Sequence, residues 1–299
     1  MGLFTPHITF RSGNNSGFRL AQEQQPPGTL DRATDIVLLV HGFANSETDA
    51  SERFSKFKEL IGEPGRQVVG VFWPGSNWSG PAFYMTSIGR ADESAVRLAG
   101  ALRNAAVGRV RLRVCIVAHS MGCRLTLRLV QELWERGGPP GLIVEAAVLM
   151  AAAVPVGLLE PGGGLRSSLE RTPRLNVLSL YSDNDWVLKV AFRAGQSAAG
   201  DGWFPVALGA RKWNGAPGCV EQADAPGAGH GDYWFGQFPA DEAGRHLGIG
   251  RAGAERASAV RGVPLRRIAE RAMSDGQAVA AGHSVGVRDV PHRRPNRRV

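Results

Sequence analysis

A hydrophobic run over residues 113–117 leads directly into the motif A-H-S-M-G, residues 118–122, and an apolar stretch suited to a helix follows. This order predicts a strand, a sharp turn and a helix, with Ser120 at the tip of the turn. A strained turn holds a serine hydroxyl clear of the backbone, where an adjacent base can make it a good nucleophile. The usual pattern is G-x-S-x-G, and Ala118 is a mild departure that adds one methyl group. We therefore interpret Ser120 as a nucleophile; the alternative is a buried serine that caps a helix.

A second copy of the pattern, G-H-S-V-G at residues 282–286, matches the usual spacing better. Context decides between the two copies, because the motif needs a strand before it and a helix after it. The segment before Ser284 is mixed in character and the segment after it runs into Pro291, so neither element is predicted there. We interpret Ser284 as a coincidental match.

Residues 35–40 form an unbroken apolar and β-branched run, typical of a strand buried on both faces, and end in H-G-F-A-N at residues 41–45. A glycine just past a central strand lets the backbone fold so that an N–H group points at the serine. Acyl transfer needs two such donors for the developing oxyanion. The predicted donors are the backbone N–H groups of Phe43 and Met121. Taken alone, H-G-F fits an ordinary turn equally well, and its pairing with the serine motif favours the oxyanion interpretation.

The acid that would orient a base is predicted downstream of the serine. Residues 176–181 predict a short strand, and the turn after it contains Asp183 and Asp185. An acid just past a late strand can fix the tautomer of a histidine and stabilise its imidazolium form. Asp185 is preferred because it lies just before an apolar pair. Asp183 is the alternative, and both could instead be turn or cap residues.

Position in the chain separates the seven histidines. His41 and His119 belong to the two turns already described and cannot reach over the serine as a base. His230 lies in the glycine-rich segment G-A-G-H-G-D-Y-W, downstream of the acid, which gives the chain order Ser, Asp, His. We predict His230 as the base, with His246 as the reserve. The others lie before the first core strand or in a basic tail: His7, His283 and His292.

Together the motifs H-G-F, A-H-S-M-G, S-D-N-D-W-V-L and G-H-G-D-Y-W resemble those of bacterial α/β-hydrolases described as serine esterases of unassigned function. The resemblance covers roughly residues 30–245. It implies an α/β fold with a doubly wound, mostly parallel sheet flanked by helices, a triad of Ser120, His230 and Asp185, and no metal or other cofactor. The departures are Ala118 and the 44 residues between the acid and the histidine.

Length and composition fit one sizeable domain, since 43% of the 299 residues are hydrophobic. We expect an N-terminal strand and loop segment at residues 1–29, a catalytic domain at 30–250 and a basic tail at 251–299, with residues 153–173 too short for a large cap. No stretch has the character of a secretory signal or a membrane span, and the three cysteines lack metal-like spacing, so we expect a cytoplasmic location. Further strands are predicted at 68–73 and 146–150, and helices at 93–106 and 125–134.

The net charge of +8 is concentrated at the C-terminal end. Residues 251–299 contain 11 arginines against four acidic residues, a net +7 that leaves about +1 for the rest of the chain. Residues 265–272 could form a short amphipathic helix, and residues 292–298 are predicted to be disordered. A functional interpretation is weak contact with anionic lipid or nucleic acid. We prefer the alternative, a solvated tail.

The substrate is the least constrained prediction. Trp78 and Tyr84 follow a predicted strand at the end where ligands bind in such sheets, and Trp186 is next to the predicted acid. These aromatics could form the wall of a substrate pocket or could pack beneath a loop. The favoured activity is cleavage of carboxylic esters with short to medium acyl chains. A thioesterase, amidase or acyltransferase would use the same residues, and a non-catalytic interaction protein of this fold is the other alternative.

Overall fold

The computed structural model of the chain describes residues 2–11, 18–63, 65–75, 81–135, 137–193 and 205–253. The second serine motif around Ser284, the predicted helix at residues 265–272 and Trp78 lie outside the described residues, as does the basic tail beyond residue 253. Among the helices that are described, none combines the length and the apolar character needed to cross a bilayer.

Within the described ranges, eight strands form one sheet in the order β2-β1-β4-β3-β5-β6-β7-β8. β1 and β2 pair antiparallel, and all other neighbours pair parallel. The strands are β1 (His7–Arg11), β2 (Phe18–Gln25), β3 (Asp35–Val40), β4 (Gln67–Phe72), β5 (Leu112–His119), β6 (Leu142–Met150), β7 (Asn176–Tyr181) and β8 (Val220–Asp224). The N-terminal segment therefore contributes two strands to the same sheet.

Helices cover both faces of the sheet. α1, α3, α4 and α5 pack together on one face, and α2 packs against α6 on the other. The helices are α1 (Thr29–Arg32), α2 (Glu47–Ile61), α3 (Pro81–Ala106), α4 (Met121–Glu135), α5 (Arg166–Arg171) and α6 (Gln237–Leu247). The predicted α/β fold with a doubly wound, mostly parallel sheet is thus confirmed.

Alternation of side chains along a strand explains the unbroken apolar run in β3. In β3, Ile36, Leu38 and Val40 lie in the hydrophobic core on the α3–α4 side of the sheet. Val37 and Leu39 lie in the core on the α2–α6 side. Because both faces are covered, positions 36–40 are all apolar, and no polar face remains in that segment.

The carboxyl ends of the parallel strands all meet at one edge of the sheet. β3 leads into the H-G-F turn, β5 into Ser120 and β7 into the turn with Asp185, while the loop after β8 carries His230. Ser120 and Asp185 are separated by 65 positions in sequence, and His230 is 45 positions further on. The sheet topology therefore places these chain-distant residues at one edge.

Candidate active site

Ser120 forms a turn by itself between β5 and α4. β5 ends at His119 and α4 begins at Met121. The backbone of Ser120 has φ = 54°, in the left-handed region that is strained for residues other than glycine. The turn is held by the Ser120 N–H, which donates to the carbonyl of Met150 at 2.9 Å. This conformation holds the hydroxyl clear of the backbone at the tip of a strand-to-helix turn.

Two glycines make room for this turn. A Cβ atom at Gly122 would lie 2.4 Å from the carbonyl oxygen of His41, and one at Gly42 would lie 2.9 Å from the Cβ of Ser120. Both contacts are too short for a side chain, so the β3 turn and the serine turn can touch only because these residues are glycines. The methyl group of Ala118, in contrast, is accommodated in the hydrophobic core.

The side chains of Ser120, His230 and Asp185 form a continuous chain of contacts. His230 Nε2 lies 2.9 Å from Ser120 Oγ, and His230 Nδ1 lies 2.8 Å from Asp185 Oδ2. The other carboxylate oxygen of Asp185 accepts the backbone N–H of Leu188 at 3.0 Å. Asp185 has no exposed surface, so its two carboxyl oxygens have these protein partners in place of water.

The alternative acid and base lie elsewhere. The side chain of Asp183 is 73% exposed, and its Oδ1 atom lies 3.5 Å from Lys189 Nζ. His246 Nε2 lies 3.3 Å from the carbonyl oxygen of Asn176, at the start of β7. That is the opposite end of the strand from Asp185. The structure therefore brings together the preferred acid and base, and neither alternative.

The two predicted oxyanion donors belong to backbone segments next to Ser120. Met121 is the first residue of α4, where backbone N–H groups have no partner within the helix and the helix dipole is positive. Phe43 follows Gly42, which is packed directly against Ser120. Such N–H groups can stabilise a negative oxygen that forms beside the serine.

His119 connects the serine turn to the histidine loop, a role that the sequence analysis missed. Its ring is buried, and Nε2 donates to the carbonyl oxygen of His230 at 2.7 Å. Burial, together with the neighbouring His230, holds the pKa of His119 well below its usual range, so the ring is neutral. The signal in the sequence is the motif itself, since His119 directly precedes Ser120 and ends β5.

Arg11 at the end of β1 is a second residue that the sequence analysis missed. It is fully buried, and its guanidinium donates to the backbone carbonyls of Trp73 at 2.7 Å and Asn45 at 2.6 Å. Burial lowers the pKa of Arg11 to about 10, so the group remains charged at neutral pH. A cation therefore lies beneath the turn that carries Phe43.

The predicted substrate-binding aromatics differ in their surroundings. Tyr84 packs edge-to-face on Phe43, with ring centroids 5.5 Å apart, which places it beside a predicted oxyanion donor. Trp186 is 65% exposed next to Asp185. Trp73 follows β4 directly and is not one of the predicted aromatics. It is fully buried and stacks on His41.

Several solved structures share parts of this architecture. An esterase from Pyrobaculum calidifontis is 16% identical, with a TM-score of 0.36 over 76% of this chain and 74% of that chain. Carboxyl esterase 2 from Tuber melanosporum is 12% identical, with a TM-score of 0.42 over 72% and 79%. The RedJ thioesterase from Streptomyces coelicolor is 13% identical, with a TM-score of 0.40 over 73% and 87%. At these TM-scores the three structures do not bear on the substrate of this chain.

The comparison with curated proteins found no match. A family of alpha/beta hydrolases matches residues 28–200, a range that includes the H-G-F turn, Ser120 and Asp185 and ends before His230. The resemblance to α/β-hydrolases is thereby confirmed. Because the match spans more than half of the 299 residues, the chain belongs to the family described as alpha/beta hydrolases of unknown function (DUF900).

Proposed function

We propose that this protein is a serine hydrolase that cleaves carboxylic esters with short to medium acyl chains through an acyl-enzyme on Ser120. The observation that carries the proposal is the contact chain from Ser120 Oγ through His230 to Asp185, with distances of 2.9 and 2.8 Å. A nucleophile within hydrogen-bond reach of a base, which is itself oriented by a third group, is the arrangement that covalent catalysis requires.

In the proposed reaction, His230 Nε2 takes the proton of Ser120 Oγ as the oxygen attacks the ester carbonyl. The N–H groups of Phe43 and Met121 stabilise the oxyanion of the tetrahedral intermediate. The protonated His230 then gives its proton to the departing alkoxide, leaving an acyl group on the serine. Water then adds to the acyl carbonyl and loses a proton to the same nitrogen. The imidazolium returns that proton to Ser120 Oγ as the bond between Oγ and the acyl carbon breaks, which releases the acid and restores the free enzyme.

Asp185 has two tasks in this scheme. Its contact with Nδ1 keeps the proton on that nitrogen, so that Nε2 is free to accept the serine proton. Its charge stabilises the imidazolium that forms during the reaction. Because the carboxylate is fully buried and also accepts the Leu188 N–H, it is oriented before the substrate binds.

Two aromatic side chains suggest how the acyl and alcohol groups are accommodated. Tyr84 and Trp186 flank the proposed oxyanion donor and the proposed acid, respectively. Trp186 is largely exposed, which supports an open site suited to small acyl groups over a deep tunnel.

A panel of p-nitrophenyl esters from acetate to dodecanoate tests this proposal. We expect hydrolysis that is highest for the shorter chains, and covalent labelling by a fluorophosphonate that is lost in Ser120→Ala. Ser179→Ala is the matched control, because Ser179 is also a buried serine and lies within β7 of the same sheet. Failure of the wild-type protein to hydrolyse any ester and to react with the fluorophosphonate would show that the proposal is wrong. Rates of hydrolysis of a matched series of thioesters distinguish an esterase from the thioesterase alternative.

We also infer a cytoplasmic location from the three free thiols, Cys115, Cys123 and Cys219, since free cysteines are typical of reducing compartments. Fractionation of the host cells, followed by detection of the full chain, tests this inference. Recovery in an extracellular or periplasmic fraction would contradict it.

A further inference from the structure

The peptide unit between Gly42 and Phe43 is held from its carbonyl side. His41 Nδ1 lies 2.8 Å from the Gly42 carbonyl oxygen. Asn45 Nδ2 lies 3.2 Å from the same oxygen and 2.8 Å from the Phe43 carbonyl oxygen. Carbonyl oxygens only accept hydrogen bonds, so both side-chain nitrogens are donors. In a trans peptide the C=O and the following N–H point in opposite directions, so the Phe43 N–H is directed away from His41 and Asn45.

Neighbouring groups fix which nitrogen of His41 carries the proton. Its Nε2 atom lies 3.2 Å from the backbone N–H of Trp73 and 3.2 Å from Nη2 of Arg11. Both neighbours can only donate, so Nε2 accepts and Nδ1 keeps the proton. The ring is fully buried and stacks on the Trp73 indole, with centroids 5.5 Å apart and planes 11° from parallel. The donor to Gly42 is therefore set by contacts that do not involve the substrate.

Arg11 joins the ends of three neighbouring strands. It belongs to β1, its Nε donates to the Trp73 carbonyl just beyond β4, and its Nη2 donates to the Asn45 carbonyl in the turn after β3. Trp73 returns a hydrogen bond from its indole Nε1 to the His41 carbonyl at 2.7 Å. This buried polar network has hydrogen-bond partners on each strand, which favours one conformation of the turn.

We propose that His41 and Asn45 are positioning residues that hold the Phe43 N–H toward the oxyanion formed at Ser120, and that Arg11 holds both of them in place. This inference rests on the proposed function. A donor that is oriented before the reaction needs no reorganisation when negative charge develops, and this is the main reason that oxyanion donors accelerate acyl transfer. Without His41 and Asn45 the Gly42–Phe43 peptide could rotate and turn its N–H away.

His41→Phe tests the donor because phenylalanine keeps the ring that stacks on Trp73 and removes both nitrogens. Losing an oxyanion donor typically costs about 10²–10³ in kcat. Loss of the contacts that hold a donor should lower kcat less than loss of the donor itself. For His41→Phe we therefore expect a fall in kcat of about tenfold to a hundredfold, with little change in KM. His41→Asn should recover part of the loss, because the asparagine amide nitrogen can occupy the place of Nδ1. Asn45→Ala should lower kcat in the same way.

His7→Phe is the matched control. His7 is also buried in this sheet, its Nδ1 donates to the Phe4 carbonyl at 2.7 Å, and its ring packs edge-to-face on Phe72. It lies at the start of β1, at the other end of the strand from the turn. We expect this variant to lose thermal stability and to keep the wild-type kcat per active site.

A trifluoromethyl ketone provides the readout that separates positioning from general damage. Ser120 Oγ adds to its carbonyl carbon and the carbonyl oxygen becomes an oxyanion, so its Ki should rise in parallel with the fall in kcat/KM across the variants. Partial unfolding would instead lower the number of sites that a fluorophosphonate titrates, and would leave Ki unchanged. A fall in kcat without the parallel rise in Ki would overturn the proposal.

Two failures can be told apart. If the wild-type protein neither hydrolyses esters nor labels at Ser120, the proposed function fails. The other case is that wild-type hydrolysis depends on Ser120, but the kcat values of His41→Phe and Asn45→Ala are within twofold of the wild-type kcat. In that case only the positioning inference fails. Should His41→Phe not fold, Asn45→Ala and its ketone Ki decide the question alone.

Discussion

His230 Nδ1 lies 2.8 Å from Oδ2 of Asp185, a carboxylate with no exposed surface, whereas the neighbouring Asp183 points into solvent. Asp185→Asn should therefore lower kcat by about 10³–10⁴, because an amide can hold the histidine in the wrong tautomer and cannot stabilise the imidazolium. Asp183→Asn should change kcat less than twofold. Steady-state kinetics on one p-nitrophenyl ester compare the two variants, and a reversed order of effects would transfer the role to Asp183.

Removal of the His119 side-chain donor should loosen the histidine loop. His119→Phe loses the 2.7 Å hydrogen bond to the His230 carbonyl, and we expect kcat to fall about tenfold to a hundredfold as the base moves out of line. His119→Gln should retain much of the activity, since its amide nitrogen can reach the place of Nε2. Equal losses of kcat in the two variants would indicate that the packing of His119, and not its hydrogen bond, holds the His230 loop in place.

Stability should fall when the pH drops below the ordinary histidine pKa of 6.5. His41 and His119 are buried and their pKa values in the folded protein lie well below 6.5, so the unfolded chain binds their protons first. Each group then contributes stability above pH 6.5 that is lost as the pH falls, at up to about 1.4 kcal/mol per pH unit. Urea unfolding between pH 7.5 and about 5.5, a range that stays above ordinary carboxylate titration, measures this slope, and His119→Phe should roughly halve it.

Alanine at Gly42 should be poorly tolerated. Its Cβ would lie 2.9 Å from the Cβ of Ser120, so either the turn or the serine must shift. We expect a loss of about 1–3 kcal/mol in unfolding free energy and a large fall in kcat. Gly100→Ala is the control: this glycine is in α3 with open space around it, and alanine should stabilise the helix by about 0.5–1 kcal/mol. Thermal unfolding of both variants provides the comparison.

Removal of the basic tail should leave ester hydrolysis unchanged. Ile249 and Ala252 are buried, so a truncated chain should end no earlier than residue 253. Residues 254–299 contain ten arginines against four acidic residues. The truncated chain should keep its kcat on soluble esters and lose any salt-sensitive binding to anionic liposomes or DNA. A marked loss of kcat or of folding would show that the domain requires the tail.

The elements that could be predicted from the sequence are those whose signal is local. β3 and β7 have the predicted bounds because each is an apolar run ended by turn residues, and the predicted helix at 93–106 is the second half of α3. α2 was not predicted, although Ser46 and Asp49 form a capping box at its start.

The polar network around the H-G-F turn could not be predicted, because its contacts depend on the order of strands in the sheet. Arg11 contacts Trp73 only because β1 pairs with β4, a strand that begins 60 positions later in the chain. No periodicity or motif indicates this pairing. The roles of Ser120, His230 and Asp185 stay predictions until the variants are measured.

The order of the strands also has a consequence for synthesis of the protein. Arg11 leaves the ribosome before the carbonyl of Trp73 that it binds, which follows 62 positions later, and His230 comes 110 positions after Ser120. A nascent chain that has exposed the serine turn therefore has neither His230 nor the loop that His119 contacts. The contact chain at Ser120 cannot assemble until translation has passed β8 and the His230 loop has emerged.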